Sequence, residues 1–328
     1  MTAIGKYWRI ALIVAVIAAL IIMPLNFNRY GLYILSQWAV MTIAAMGLNL
    51  TLGYAGQVSL AQGAFVGIGA YAAAIMTTQG LPLVAALGVA IVLCFAIGWI
   101  LGYPALRVQH HYLAFVTLAF STLAFLVFRN EDWLTKGIYG ISNIPRPNVM
   151  GFATNRPLPF YYFCLGSLAL VSLAMWWLIR SPWGRAFIAV RENPLRALSL
   201  GVDTRRYTLM AFAIGAGLGG ISGVLLAPLV QFIDPSPFSL TASLNLLLMV
   251  VIGGSGYFFG PFVGAIVAVL LPEWLRFSGG LYIIFYALLV MVLMAVCPTG
   301  LIGLAGRILK RISKPTAPAA KAALERTT

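Results

Sequence analysis

Residues 180–206 read RSPWGRAFIAVRENPLRALSLGVDTRR, with six arginines and two acids. Uncharged apolar runs lie on either side, Pro157–Ile179 and Tyr207–Ile233. A spanning helix needs about 20 apolar residues to cross a hydrocarbon core of about 30 Å, so the basic segment reads as a connector between two spans. Its punctuation is that of a short helix. Asn193 suits the N-cap, Pro194 the first helical position and Gly201 the C′ position. This predicts about two helical turns, from Pro194 to Leu200, with Leu195 and Leu198 on one side and Arg191, Glu192 and Arg196 supplying charge around them. A helix this short does not hold in water alone. It rests on the membrane surface or enters a groove on another protein, and a contact helix is the favoured reading.

Outward from that segment, composition fixes the class. The chain has 328 residues, 62% hydrophobic and 9% charged, and its mean hydropathy is +0.97. Soluble domains carry about 25% charged residues. From Tyr30 to Leu106 no charged residue occurs. The expectation is an all-α, polytopic transmembrane bundle with about ten spans. They are placed near 10–28, 31–52, 58–78, 82–104, 111–128, 157–179, 207–232, 240–254, 259–275 and 280–298. A β-barrel would show short alternating segments, which the sequence lacks.

The net charge of +14 follows topology, not nucleic acid. With both termini cytoplasmic, ten spans leave 15 of the 21 Lys and Arg inside, as the positive-inside bias requires. The six outer ones are Arg29, Arg129, Lys136, Arg146, Arg156 and Arg276. Lys6 and Arg9 before an apolar run resemble a signal peptide, but IIMPLNFNRY offers no small-x-small cleavage site, so an uncleaved first span is expected. Residues 1–306 are read as the transmembrane domain. Residues 307–328, rich in Lys, Arg, Ala and Pro, are read as a disordered cytoplasmic tail drawn to anionic headgroups and membrane lipid. Cys94, Cys164 and Cys297 fall inside spans and read as small buried hydrophobes.

No Asp, Glu, Lys or Arg is placed deep in a span. Ion-coupled transporters usually carry such groups, so uphill transport would draw its energy from outside the bilayer. HExxH, paired intramembrane carboxylates and a Walker A sequence are all absent. No catalytic residue, metal site or cofactor is expected on this chain.

Glycines recur at helical spacing instead. Gly63 and Gly67, then Gly215, Gly219 and Gly223, then Gly260 and Gly264 each share a helix face and form smooth stripes for close helix packing. The stretch NLTLGYAGQVSLAQG (49–63) differs, because Gly53 and Gly56 interrupt the apolar pattern among polar side chains. Asn49, Gln57, Ser59 and Gln62 are candidates for lining a solute pathway, with Ser59 and Gln62 on one face. Interhelical hydrogen bonding and a plain cytoplasmic turn are the competing readings.

Three segments carry a family resemblance. They are RAFIAVRENPLRALSLGV (185–202) followed by YTLMAF (207–212), GLNL…GYAGQVSL…G (47–63), and IGGSG…GPFVGA (252–265). Together they resemble the LivM-type permeases of branched-chain amino acid ABC importers across residues 36–298. The resemblance implies an ABC importer permease in the bacterial inner membrane, paired with a LivH-type permease subunit. It also implies two ABC ATPase subunits, which carry ATP and Mg and dock on the coupling residues 191–201, and an extracytoplasmic solute-binding protein. Where many members have Glu and Ala in the coupling motif, this chain has Pro194 and Arg196. The solute expected is a branched-chain amino acid, with related small amino acids and amides next. A passive channel and an ion-coupled secondary transporter are the alternatives from other classes.

Overall fold

A computed structural model describes residues 18–105, 110–149, 152–153, 156–275, 282–296 and 300–312. The segment 18–22 is helical and ends in a 3-10 turn, Met23–Asn26. The rest of the first expected span, 10–28, lies largely outside the described residues. Helix α1 is Arg29–Leu48 and continues as a π-helix, Asn49–Tyr54. Then come α2 (Gln62–Thr78), α3 (Leu83–Ala105), α4 (His110–Asn130) and α5 (Pro157–Arg180). The basic segment holds α6 (Pro182–Glu192) and α7 (Pro194–Ser199), and α8 is Thr204–Val230. Helices α9 (Leu240–Gly253), α10 (Gly260–Leu275), α11 (Tyr282–Val296) and α12 (Gly300–Ile312) follow.

Five helices among the described residues are long and apolar enough to cross a membrane: α1 with its π-extension, α3, α4, α5 and α8. Two of the others are shorter for identifiable reasons. Helix α2 begins at Gln62, not near residue 58, because the chain from Ala55 to Ala61 is extended or turned and Gly56 has φ +71°. Helix α9 has 14 residues, about 21 Å of rise, and stops where Gly254 takes φ +117°. Helix α12 runs to Ile312, six residues beyond the expected domain boundary at 306. Its pattern GLIGLAGRILKRI keeps apolar residues at helical spacing while the charges accumulate. Cys297, Ser313 and the remainder of the tail lie outside the described residues.

Helix α8 is the axis of the fold. It packs on α1, α2 and α3, and 78% of its most apolar window is buried, against 22% for α5. The lipid-side helices show apolar side chains outward, Leu170, Leu173 and Trp177 among them, because hydrocarbon is as good a solvent for them as the core. The glycines of α8 set how close its neighbours come. A Cβ on Gly215 would lie 2.7 Å from the carbonyl oxygen of Gly47, and one on Gly219 2.9 Å from Phe65 Cβ and 3.0 Å from Gln62 Nε2. One on Gly223 would strike the backbone of Val66 and Ala70. Gly63 meets Ser243, Gly67 meets Phe128, Gly260 meets the Gly254 backbone and Gly264 meets the Met249 backbone.

These contacts order four substitutions. Gly217→Ala has its nearest obstacle at 3.9 Å and is expected to leave membrane levels unchanged. Gly219→Ala obliges α2 to shift at Phe65, whose Cβ is fixed to its backbone, while the Gln62 amide gives by a few tenths of an ångström, and Gly219→Leu exceeds what they can give. Gly223→Ala pushes two backbones apart, and overpacking of that kind costs about 1–3 kcal/mol or more. Equal accumulation of the Gly217 and Gly223 variants in membranes, measured by quantitative immunoblot, would contradict this packing.

Candidate coupling site and the membrane interior

Two capped helices, not one, fill the basic segment. Ser181 Oγ accepts from the Trp183 N–H at 3.2 Å, Pro182 follows at the first helical position, and α6 runs to Glu192. Its inner face is Gly184, Ala186, Phe187 and Val190, all buried. Phe187 meets Tyr207 of α8 edge-on at 6.1 Å. The Ser-Pro start and the spacing of Ala186, Phe187 and Val190 were the sequence signals for α6, and the reading of residues 193–201 alone missed it. Asn193 Oδ1 then accepts from the Arg196 N–H at 3.0 Å, opening α7, and Gly201 takes φ +82° beyond its end. Asp203 caps α8 by accepting from the Arg206 N–H at 3.0 Å.

On α7 only Ala197 is buried. Leu195, Leu198 and the following Leu200 are 79%, 59% and 82% exposed. Glu192 and Arg196 are exposed around them. Leucines held outward by capped helices among charged neighbours form an apolar knob on a polar surface, the pattern of an interaction site.

Arg191 has a different place from its neighbours. It closes α6, and its guanidinium Nη1 donates to the carbonyl of Gly53, at the end of the π-helix. Asn49, at the start of that π-helix, donates from Nδ2 to the Tyr257 carbonyl at 3.0 Å and accepts from the Gly256 N–H at 2.9 Å. The end of α6, the π-extension of α1 and the α9–α10 turn therefore meet at one node. Gly256, with φ +82°, lets the turn approach that closely. Gly300, which opens α12, packs on the backbone of Gly253 and Gly254 behind it.

The candidate pathway residues are all buried, and three of the four spend polar groups on protein partners. Asn49 binds the turn as described. Gln62 Nε2 donates to the carbonyls of Ala44 and Gly215, both at 3.1 Å, which ties α2 to α1 and α8. Ser59 Oγ accepts from the Ala61 N–H at 3.3 Å. Because Ser59 precedes α2, it shares no helix face with Gln62, a correction to the expected spacing. The Gln57 N–H donates to the Thr51 carbonyl at 2.8 Å.

Two residues not anticipated from sequence complete this region. Thr117 of α4 accepts from the Leu60 N–H, and Ser243 of α9 accepts from the Gly63 N–H, each at 3.0 Å. Gln62 lies beside Ala44, 15 residues into α1, which is about 22 Å from its start. Helix α2 thus begins at depth, where unpaired N–H groups are costly. Hydroxyls from two other helices satisfy the N–H groups of Leu60, just before it, and Gly63, in its first turn. A single hydroxyl on an apolar helix gave no signal for that role.

A cleft of about 610 Å³ runs beside this helix start, between α1, α9 and α10, with Gln37, Gly63, Thr241, Asn245 and Glu273 along it. Among the described residues, no cluster of three or more His, Cys, Asp or Glu is placed to hold a metal ion.

The family model described as the branched-chain amino acid transport system / permease component matches residues 30–297. The chain is 32% identical over 295 residues to the high-affinity branched-chain amino acid transport system permease protein LivM of Escherichia coli K12, covering 83% of this chain and 68% of that protein. It is 28% identical over 282 residues to the corresponding LivH protein of the same organism, covering 80% and 90%. It is also 25% identical over 252 residues to the autoinducer 2 import system permease protein LsrC of an Enterobacter strain, covering 74% and 69%. No solved structure matches the chain.

Proposed function

The chain belongs to the branched-chain amino acid transport system permease family, and from that premise we propose that it forms half of the membrane pathway of an ATP-driven importer. It is a multi-pass membrane permease subunit. Its partner in this reading is a LivH-type permease, since relatives named LivM and LivH both match over most of the chain. Two ATPase subunits dock at the coupling segment, and an extracytoplasmic binding protein delivers the solute. The solute is a branched-chain amino acid, by analogy with the relatives' names.

The observation that carries this reading is the exposed knob Leu195, Leu198 and Leu200 on capped helices, joined through Arg191 to the membrane interior. A segment serving only orientation needs charge but no ordered apolar face. The knob fits a groove on an ATPase. Glu192 and Arg196 set its approach, while Arg191 carries movement inward. The solute path follows the cleft along Gln37, Thr241 and Asn245, because Asn49, Ser59 and Gln62 already have protein partners. Hydrolysis of ATP, with its Mg, takes place on the partner subunits.

Orientation tests the docking geometry directly. A single cysteine replacing Ser199 is expected to resist an impermeant thiol reagent in intact cells of the bacterial host, and one replacing Asn148 is expected to react. Lysis should expose the first site. Reaction at position 199 from outside would place the coupling segment on the wrong face for an ATPase and overturn the proposal.

A further inference from the structure

By sequence, the positive-inside bias assigns six cationic residues to segments on the side opposite the coupling segment, and the transport reading uses none of them. Three of the six converge. Arg29, Arg146 and Arg156 line one cleft of about 720 Å³, together with Tyr33 and Gln231, and none of the residues lining it is acidic. Arg29 is the first residue of α1, and Arg156 is the N-cap residue of α5. Neither helix start has a side-chain cap hydrogen bond, so the positive ends of two helices border the same cleft as the guanidinium groups. Arg146 lies over the Phe160 ring at 5.6 Å, which directs it along the cleft wall. Three guanidinium groups and two helix N-termini with no acidic residue in the lining give the cleft a positive potential that attracts an anion.

The surroundings select the kind of anion. The walls include Leu32, Phe160 and Leu229, and the volume far exceeds a lone carboxylate or phosphate. Next to it, Tyr161 and Tyr162 on α5 donate to the carbonyls of Leu20 and Ile21 at 2.9 and 2.8 Å. The residues that follow, Ile22 and Met23, are 61% and 56% exposed, an apolar surface fit for acyl chains. We propose that this cleft binds the phosphate of an anionic phospholipid, with arginine forks on the phosphate oxygens and the acyl chains along the adjoining apolar surface. The bound lipid would fix the start of α5 against α1, where the two helices pack.

The test uses the complete permease assembly, purified in mild detergent from membranes. Wild-type protein is expected to retain phosphatidylglycerol, detected by native mass spectrometry and lipid extraction. The double variant Arg29→Gln with Arg156→Gln is expected to retain about thirtyfold less, the change that follows from losing two headgroup-facing arginines. After delipidation, phosphatidylglycerol should raise the melting temperature of wild type but not of the variant, while phosphatidylcholine and inorganic phosphate leave both unchanged. If the double variant does not accumulate, Arg146→Gln alone is read in the same assays, with about fivefold less phosphatidylglycerol retained, the change that follows from losing one such arginine. Equal lipid retention by wild type and variant would overturn the proposal. So would an equal shift from phosphatidylcholine. A shift produced by inorganic phosphate alone would assign the cleft to the free ion and reject the lipid.

Discussion

Asn49→Leu is expected to abolish transport, and the loss should exceed that of any conservative change elsewhere in the interior. The Asn49 amide holds the Tyr257 carbonyl and the Gly256 N–H at 3.0 and 2.9 Å. Leucine keeps the same branching at Cγ, puts bulkier methyl groups in place of the amide oxygen and nitrogen, and pairs with neither partner. A buried polar group left unsatisfied costs about 1–3 kcal/mol, so two of them cost about 2–6 kcal/mol, much of a typical protein's net stability of about 5–15 kcal/mol. The substitution also releases the α9–α10 turn from the π-extension of α1. Arg191→Ala removes the other side of the same node, the bond to Gly53. Because Arg191 is a surface residue, this variant should accumulate normally. Its expected defect is in coupling: the ATPase still binds, but hydrolysis no longer rises when solute-loaded binding protein is added. Co-purification and stimulated ATP hydrolysis separate the two effects. Loss of ATPase binding in Arg191→Ala would place this side chain in the docking interface and dissolve the internal node.

Leu198→Asp should give the second large effect with the opposite signature. The side chain is 59% exposed, so the fold loses little and membrane levels should hold. In the assembled importer the carboxylate enters an apolar groove, and an unpaired charge buried there costs several kcal/mol. Each 1.4 kcal/mol is about tenfold in affinity, so both ATPase co-purification and uptake should fall by about a hundredfold or more. Leu195→Asp should follow it, since Leu195 and Leu198 stand three residues apart on the same side of α7. Unchanged uptake and unchanged ATPase binding in Leu198→Asp would remove this residue from the interface.

The fold class was legible because hydropathy in a lipid solvent is a one-dimensional signal, and a span announces itself by length and lack of charge. The caps at Asn193 and Gly201 were legible for a similar reason, as local chemistry fixes them within a few residues. Helix α6 was missed because RAFIAVRE lies in a charged segment and its apolar face is only half a turn wide. The depth at which α2 starts depends on Thr117 and Ser243, which are far apart in sequence and meet only through packing. Arg191 reads in sequence as one more surface charge, and only the fold brings it to Gly53. The polar residues 49–62 were located correctly as a break in the apolar pattern. Their partners, Tyr257, Gly256, Ala44 and Gly215, lie on segments that no local pattern links to them.

Reconstitution tests ATP-driven import by this chain. The chain, its permease partner and two ATPase subunits are placed in proteoliposomes, ATP is supplied on the side of the coupling segment, and radiolabelled leucine with its binding protein is supplied on the other. Leucine is expected to accumulate above its external concentration, dependent on ATP and on the binding protein and unaffected by collapse of proton and sodium gradients. Leucine that merely equilibrates without ATP, or accumulates only when an ion gradient is imposed, would contradict it.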